Sequence, residues 1–442
     1  MGQMAQAGRD KSWDRPWTAL IILTAISTFG FIDRIVLNVL AAPVQAEFGL
    51  SDTQVGLLTG LAFAVLNVGL GVFIARIAER RNRMPLIAVG TLLWSIATAL
   101  CGMVGNWVQL LFARIGVGVG EAIGLPATQS VVSDYFPPER RATALSVLLL
   151  APPVGALVGS AGGAWIGQYY GWRTAFYAAA APGIVLAALA YWFVPEPPRG
   201  RYDPGTSDEV PPLRAVLDRL FGLASARHLL VGSTIASLVG FGLNSFVALL
   251  LIRKFEFSLV QAGLFSGLLA SFPGAISVLA GGRIADWLGK GNPAAYALLP
   301  GVCMLVAAPL YIFAITRDAI TLLLVFMTTA ALFQYTYLGV TYGTFQNLLH
   351  PRMRATGTAV LAAIYGLLGQ GIGPLAVGAL SDMLMRRYGI DGGNALAGAM
   401  ALTALLYVWA GGHYLLAARH LGGDLARVRG GQPAPDGVVS TT

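Results

Sequence analysis

Arg114 and Glu121 are two ionisable residues within an otherwise uncharged apolar stretch at 107–132. Seven residues correspond to almost two turns of an α-helix, so both side chains project from nearly the same face. If the helix crosses a bilayer, each charge costs at least about 2.5 kcal/mol, and residues kept at such a cost usually serve a substrate or proton pathway. The pair therefore indicates ion pairing, proton exchange or recognition of an anion.

Asp33 and Arg34 form a second charged pair, two-thirds of the way along the apolar stretch at 17–40. Adjacent helical side chains point about 100° apart, so these two cannot share one target. Asp33 and Glu121 are the only acids predicted to lie deep within a span. A buried carboxylate can pair with an arginine or take up a proton, and switching between the two couples proton movement to shape. The alternative is a permanent ion-pair cluster that only fixes helix packing.

Apolar stretches of about 20 residues recur along the chain, and each is long enough to cross a bilayer as a helix. Of the 442 residues, 56% are apolar and 11% charged, whereas soluble proteins carry about 25% charged residues. We predict an all-α membrane protein with twelve transmembrane helices, at 17–40, 54–75, 84–104, 107–133, 141–164, 174–194, 228–252, 258–284, 294–315, 319–347, 355–380 and 394–418.

The basic residues predict the orientation. With a cytoplasmic N-terminus, 19 of the 29 lysines and arginines fall in cytoplasmic segments and six in outer segments. This bias follows the positive-inside rule, so we predict a multi-pass protein of the plasma (inner) membrane with both termini in the cytoplasm. The positions of the charges argue against nucleic acid as the reason for the net charge of +8.

Two sequence echoes indicate that the halves of the chain are related. Arg76-Ile77-Ala78-Glu79 recurs as Arg283-Ile284-Ala285-Asp286, and Pro138-x-x-Arg141-Ala142-Thr143 recurs as Pro351-x-x-Arg354-Ala355-Thr356, at offsets of 207 and 213 residues. A parallel repeat predicts two pseudo-symmetric six-helix bundles with the substrate between them. The predicted domains are an N-tail (1–16), a first bundle (17–194), a cytoplasmic linker (195–227), a second bundle (228–418) and a C-tail (419–442).

The loop after the second span carries a family motif. Its sequence, Ala75-x-x-Ala78-Glu79-Arg80-x-Asn82-Arg83, resembles the loop motif Gly-x-x-x-Asp-Arg-x-Gly-Arg-Arg of the major facilitator superfamily, with changes at Ala75, Glu79 and Asn82. Further segments are similar to the spinster-like subfamily, namely Asn82, Phe31-Ile32-Asp33-Arg34, Gly118-x-Gly120-Glu121-Ala122 and the run at 134–146. The resemblance to the superfamily covers essentially the whole chain.

This resemblance implies a secondary transporter rather than an enzyme, working by alternating access. Animal spinster-like proteins export lysophospholipids or sphingosine-1-phosphate, and their intramembrane acids and arginines are thought to sense protons and bind head groups. By motif, proton coupling falls on Asp33 and Glu121, and head-group binding on Arg114 and Arg34. The expected partners are protons, the bilayer and an amphipathic lipid or small organic anion, with the chain acting as a monomer.

The second half is predicted to supply an uncharged wall for the substrate's tail. Its candidate residues are Phe241, Asn244, Gln334, Tyr337, Thr341 and Tyr365. Gln334, Tyr337 and Thr341 follow i, i+3, i+7 spacing, which places them on one helix face. Ordinary packing and interhelical hydrogen bonding is the alternative for each of these residues.

Charged residues near the cytoplasmic ends of the spans are predicted to form a gate: Glu79, Arg80, Arg83, Arg141, Asp286 and Arg354. A carboxylate at the end of span 2 or span 8 would meet the first turn of span 11 or span 5, where exposed N–H groups and an arginine attract it. Such contacts would favour an outward-open state. Anchoring of loops at the water interface is the alternative.

Other readings of the chain are weaker. A drug or small organic-anion exporter shares the predicted fold, and a non-transporting receptor of transporter ancestry is a further alternative. A lipid enzyme would need a nucleophile–base pair or a metal cluster, and no local spacing of histidine and cysteine suggests a metal site. We predict no cofactor, because no nucleotide-binding motif occurs in a suitable context.

Overall fold

The computed structural model describes residues 15–199, 201–202, 213–350 and 353–430, with the backbone alone at 72–73, 75–80, 125–126, 142, 355 and 429–430. Within these ranges the chain is helical and has no β-strand. The helices are α1 (Pro16–Val39), α2 (Ala41–Phe48), α3 (Asp52–Gly56), α4 (Ala62–Arg80), α5 (Arg83–Cys101), α6 (Trp107–Glu121), α7 (Gly124–Tyr135), α8 (Pro138–Leu148), α9 (Ala151–Tyr170), α10 (Trp172–Phe193), α11 (Leu213–Gly222), α12 (Ala224–Phe255), α13 (Leu259–Gly289), α14 (Ala295–Thr316), α15 (Ile320–Gln334), α16 (Tyr337–Leu348), α17 (Arg354–Ile364), α18 (Gly373–Tyr388), α19 (Gly392–Ala404) and α20 (Leu406–Gly430).

The predicted all-α membrane fold is confirmed, with one difference in its fourth span. Eleven helical segments of the described chain, some of them interrupted by a turn, are long and apolar enough to cross a membrane. They correspond to eleven of the twelve predicted spans. The fourth predicted span is not among the eleven, and it is divided into α6, of 15 residues, and α7, of 12 residues.

Short polar motifs set the starts of several helices. The Ser51 hydroxyl accepts a hydrogen bond from the Gln54 backbone N–H, and the Gln54 side chain accepts one from the Ser51 N–H, which makes a capping box at α3. Asn82 and Asn106 cap α5 and α6 without a capping box, since one side-chain oxygen of each accepts a hydrogen bond from a backbone N–H of the first turn. The first N–H groups of a helix have no partner within the helix, and these caps supply acceptors for them.

Irregular turns occur within several spans. A π-helical turn joins α3 to α4 at Leu57–Leu61, and another joins α17 to α18 at Tyr365–Ile372. A Cβ atom on Gly60 would lie 2.7 Å from the carbonyl oxygens of Gln370 and Gly371, so only glycine lets these two backbones pack so closely. Span 5 is interrupted between α8 and α9, just before Pro152, where its prolines predict a bend.

The chain forms two compact units. Unit 1 comprises Met1–Ser207, Phe241–Phe272 and Gln370–Ala399. In it, α5 packs against α6 and α10, α1 against α9, and α18 against α3. Unit 2 comprises Asp208–Gly240, Pro273–Gly369 and Met400–Thr442, and its α14 packs against α15 and α20. The division into two six-helix domains stays a prediction.

Candidate transport site

The break in span 4 falls at the acid that the sequence singles out. Helix α6 ends at Glu121 and α7 begins at Gly124. The glycines before the break allow close packing: a Cβ atom on Gly120 would lie 2.7 Å from the Cβ of Trp94 in α5. Glu121 is thus held at a helix end inside unit 1, with neighbouring backbones on either side.

Arg34 of α1 binds Glu121 directly. The Nε of Arg34 donates to Oε2 of Glu121 over 2.5 Å, and a terminal nitrogen of the same guanidinium pairs with that oxygen. The other carboxylate oxygen, Oε1, has no hydrogen-bond partner among the described residues. The Arg34 side chain is 25% exposed, against 6% for Glu121. The carboxylate of the pair is therefore almost completely buried, whereas the guanidinium is partly accessible from outside the pair.

Arg114 and Asp33 form a second, more deeply buried pair. The relative exposure of Asp33 is 0% and that of Arg114 is 1%. Nη1 of Arg114 lies 3.7 Å from Oδ2 of Asp33 and donates to the backbone carbonyl of Asp33 over 3.4 Å. Neither carboxylate oxygen of Asp33, nor Nε of Arg114, has a hydrogen-bond partner in the described chain. This contact is an ion pair without a well-formed hydrogen bond between the side chains.

A buried phenylalanine lies against both arginines. The guanidinium carbon of Arg34 is 4.7 Å from the centre of the Phe63 ring and that of Arg114 is 5.9 Å away. Phe31 contacts Arg34 similarly, at 5.0 Å. Cation–π attraction stabilises such contacts by about 0.5–2 kcal/mol, more when they are desolvated. The four charges and Phe63 are called the central charge cluster below.

A cavity of about 50 Å³ opens beside this cluster. Arg34 and Glu121 line it together with Phe31, Trp94 and Thr128, whereas Asp33 and Arg114 do not. A water molecule occupies about 30 Å³ in the liquid, so the cavity is large enough for water. Of the two ion pairs, only Arg34–Glu121 lines this cavity.

The predicted tail-binding residues are mostly buried within unit 2. The hydroxyl of Tyr311 donates to the side-chain oxygen of Gln334, Thr341 shares a 2.5 Å hydrogen bond with Tyr414, and Tyr365 donates to Ser233 over 2.7 Å. Tyr337 is buried as well. Phe241, which is 42% exposed, and Asn244 belong to unit 1. A role in substrate binding stays a prediction for all six.

A helix break falls between the first and second of the three residues Gln334, Tyr337 and Thr341, so their predicted common face stays a prediction. Helix α15 ends at Gln334 and α16 begins at Tyr337, so the regular spacing is interrupted. Gln334 lies 213 residues after Glu121, the same offset that relates the echoes at Pro138 and Pro351. Each half therefore has a broken helix at the equivalent position, with an acid at the first break and an amide at the second.

The predicted gate residues have varied environments. Arg83 is buried and binds within unit 1, donating to Glu196 and Asp134 over 2.6 Å each. In unit 2, Asp286 accepts a hydrogen bond from Tyr296 at 3.0 Å and Arg354 donates to the Gln346 carbonyl at 3.0 Å. Arg141 is partly buried. The side chains of Glu79 and Arg80 lie outside the described residues. The gate stays a prediction.

The sequence reasoning missed a polar cluster at the start of α3, near the end of α12 and in the second half of α18, all within unit 1. Arg253 donates to both oxygens of Asp52, over 2.9 and 2.7 Å, and to Gln45 over 2.5 Å. Ser381 donates to Asp52 over 2.6 Å. Asp52 is completely buried. We call this set, with Thr53 and Asp382, the helix-end cluster.

Asp382 of α18 completes the helix-end cluster by capping α3. Its two oxygens accept from the backbone N–H groups of Asp52 and Thr53, over 3.0 and 2.9 Å, and from the Thr53 hydroxyl over 2.5 Å. A carboxylate at a helix N-terminus is stabilised by exposed N–H groups and the helix dipole. One signal was available: Asp52, Arg253 and Asp382 each lie within two residues of a predicted span end on the same side.

Comparison with known proteins identifies the family. Residues 22–374 match the Major Facilitator Superfamily model. An MFS-type efflux pump of Mycolicibacterium smegmatis is 31% identical over 406 residues, which cover 89% of this chain and 92% of the pump. Protein spinster homolog 1 of Xenopus tropicalis is 26% identical, covering 93% of this chain and 82% of its own.

A solved structure supports the same assignment. The crystal structure of a bacterial homolog to the human lysosomal transporter spinster, in an inward-facing and occupied conformation, matches with a TM-score of 0.84 and 31% identity. The match covers 92% of this chain and 98% of that one. With its helical fold and its sequence motifs, this chain belongs to the Major Facilitator Superfamily, as a spinster-like transporter.

Proposed function

We propose that this transporter is proton-coupled and moves a lysophospholipid or a similar amphipathic anion by alternating access. The observation that carries the proposal is the Arg34–Glu121 pair at the cavity. A fixed cation and an acid share one contact there, and the acid retains an oxygen without a partner. A proton and an anionic head group can each change that contact.

The coupling step follows from competition for Arg34. While Glu121 is ionised, its carboxylate occupies the guanidinium. When a proton binds Glu121, the attraction between the two weakens, and Arg34 can form charge-assisted hydrogen bonds to a phosphate or carboxylate in the cavity. Loss of the proton restores the Arg34–Glu121 pair and displaces the anion. Arginine stays charged throughout, so only its partner changes.

Asp33 and Arg114 support this step from behind the cavity. Their contact is long and leaves three polar atoms without hydrogen bonds, so either group can change partners when Glu121 changes charge. Phe63 lies against both guanidinium groups and limits direct contact between them. In this scheme Asp33 is the second proton-coupling acid.

The helix-end cluster closes one mouth of the pathway. By the predicted topology its members lie at the outer face, where Asp52 follows span 1 and Arg253 ends span 7. Its hydrogen bonds join segments from both halves of the sequence, so the outer ends of spans 2, 7 and 11 must separate before the outer face can open. An access cycle needs such a closure that can be broken.

A second candidate is the export of drugs or small organic anions. It is favoured by the 31% identity to the Mycolicibacterium smegmatis protein, which is an MFS-type efflux pump. The same cation would bind a small carboxylate. Flux measurements with both classes of substrate separate the two candidates.

The test is a flux assay with purified protein in liposomes, using a lysolipid panel and an organic-anion panel, with and without a pH gradient. The proposal expects lysolipid flux that rises with the gradient. Glu121→Gln should abolish the response to the gradient, because an amide does not exchange a proton in this pH range. Glu256→Gln, a change at an exposed acid, is the matched control. Gradient-driven flux that persists in Glu121→Gln removes Glu121 from the coupling step.

A further inference from the structure

Three of the four histidines of the chain lie together in unit 2. His228 is in the first turns of α12, and His413 and His420 are seven residues apart on α20, almost two turns along. The rings of His228 and His413 have centroids 5.2 Å apart, and His420 stacks on His228 at 6.2 Å with an interplanar angle of 9°. Neither the fold nor the transport step accounts for this grouping.

The ring nitrogens of two of these histidines face each other. Nδ1 of His228 lies 3.0 Å from Nδ1 of His413. A neutral imidazole has one N–H and one lone pair, so this contact requires one Nδ1 to donate and the other to accept. A single proton therefore lies between two nitrogens that could both act as ligands.

The spacing of the two nitrogens fits a metal ion that replaces this proton. Metal–imidazole bonds of about 2.0–2.1 Å put neighbouring ligands roughly 2.9 Å apart in an octahedral site and roughly 3.4 Å apart in a tetrahedral one. The observed 3.0 Å falls between these values. The two rings can thus hold one ion with little movement of α12 or α20, and both are only partly buried, so an ion can reach them.

We propose that His228 and His413 form a binding site for one divalent cation of the nickel, copper and zinc class. No group of three or more histidine, cysteine or acidic side chains surrounds a common metal position in the described chain, so water completes the coordination. His420 stacks with its ring parallel to that of His228 and is not a ligand. The ion would join the start of span 7 to span 12, beside the hydrogen bonds from Ser225 to Asp424.

No local spacing in the sequence indicates this site, because the two ligands lie 185 positions apart. The chemistry of the pair predicts its selectivity. Imidazole prefers borderline metals over magnesium and calcium, and affinities of divalent ions rise from manganese to copper and fall at zinc. Copper should therefore bind more tightly than nickel, and magnesium should not compete.

The test is calorimetric titration of the purified chain, carrying a tag without histidines, with CuCl₂, NiCl₂, ZnCl₂ and MgCl₂. One nickel ion should bind per chain. Losing a ligand should weaken binding by at least about tenfold in His228→Ala and His413→Ala, since even changes behind a ligand cost about 10–100-fold. His350→Ala and His420→Ala should bind as the wild type does. No saturable nickel binding, wild-type affinity in either His228→Ala or His413→Ala, or loss of binding in His420→Ala would overturn the proposal.

A measurement on the unmodified chain covers the case in which a ligand variant does not fold. Diethyl pyrocarbonate modifies accessible imidazoles, and mass spectrometry locates the products. Nickel should protect His228 and His413 and leave the exposed His350 reactive. Equal modification of His228 and His413 with and without nickel would also overturn the proposal.

Discussion

In the helix-end cluster all four carboxylate oxygens of its two acids accept hydrogen bonds, whereas in the central charge cluster only one of four accepts one from the described residues. The two clusters use the same residue types, and both lie in unit 1. Buried polar groups are nearly always satisfied in proteins, so the exceptions call for an explanation. A saturated cluster fixes one geometry. An unsaturated one keeps acceptors that a proton or a ligand can fill, as a coupling site requires.

The two clusters also differ in where their bonds lead. The central charge cluster connects α1 to α6, both from the first predicted bundle. The helix-end cluster connects α3, from the first half of the sequence, to α12 and α18, from the second half. We therefore assign proton coupling to the central charge cluster and closure of the outer face to the helix-end cluster. A substitution in one cluster can change its role without altering the other.

Breaking the buried pair should have the largest effect. Arg114→Ala leaves Asp33 buried without a counter-charge, and such a loss destabilises a protein by about 3–5 kcal/mol. Denaturant titration of the purified protein measures the change. The double variant Asp33→Leu with Arg114→Met should recover most of the stability, because both charges are gone, but it should not recover gradient-driven flux. A single variant as stable as the wild type would contradict this account of the pair.

Weakening the helix-end cluster should have an intermediate effect on conformation. Asp382→Asn removes a charged acceptor at the start of α3, and a hydrogen bond to a charged group contributes about 1.5–3 kcal/mol, or at least about tenfold in an equilibrium. A cysteine at Ser27, which lines the cavity, should therefore react at least about tenfold faster with an impermeant maleimide from the outer side.

The design of that experiment uses features of the chain. The two native cysteines, Cys101 and Cys303, are buried, so they add little background. Asp391→Asn is the control, since the Asp391 carboxylate accepts its hydrogen bonds from Gly393 and Asn394, which are nearby in the sequence. If Asp382→Asn and its control label at the same rate, the cluster does not close the outer face.

Removing the surface ion pair between Arg173 and Glu47 should have the smallest effect on stability. The hydrogen bond from Arg173 to Glu47 lowers the pKa of that carboxyl. Because the folded pKa lies below the unfolded one, the stabilisation is present above the usual range for glutamate and is lost as the pH falls through the folded pKa. The pair is largely exposed, so Glu47→Gln should shift the thermal midpoint by less than about 2 °C at pH 7, and the difference should vanish in acid. A loss of stability in Glu47→Gln as large as that in Arg114→Ala would show that burial does not explain the difference between the two ion pairs.

Much of the fold was accessible from the sequence because lipid imposes simple rules. Span length and composition predicted the helices, and the isolated charges at Asp33 and Glu121 marked the cluster in unit 1. The breaks at Glu121 and Gln334 were not predicted, since both lie within apolar runs whose composition is compatible with continuous helix. The helix-end cluster was missed for another reason: its members look like ordinary residues at the ends of spans, and only tertiary contact between distant segments brings them together.

The capping of α3 has a consequence for synthesis of the chain. The two N–H groups that Asp382 accepts from belong to residues made 330 and 329 positions earlier. At about 5–20 residues per second, the ribosome needs roughly 15 to 65 seconds to cover that interval. During this time the start of the second span has only its local cap at Ser51. The cap from Asp382 forms only after the eleventh span has been made. The first half can thus enter the bilayer early, but it is finished only when the second half arrives.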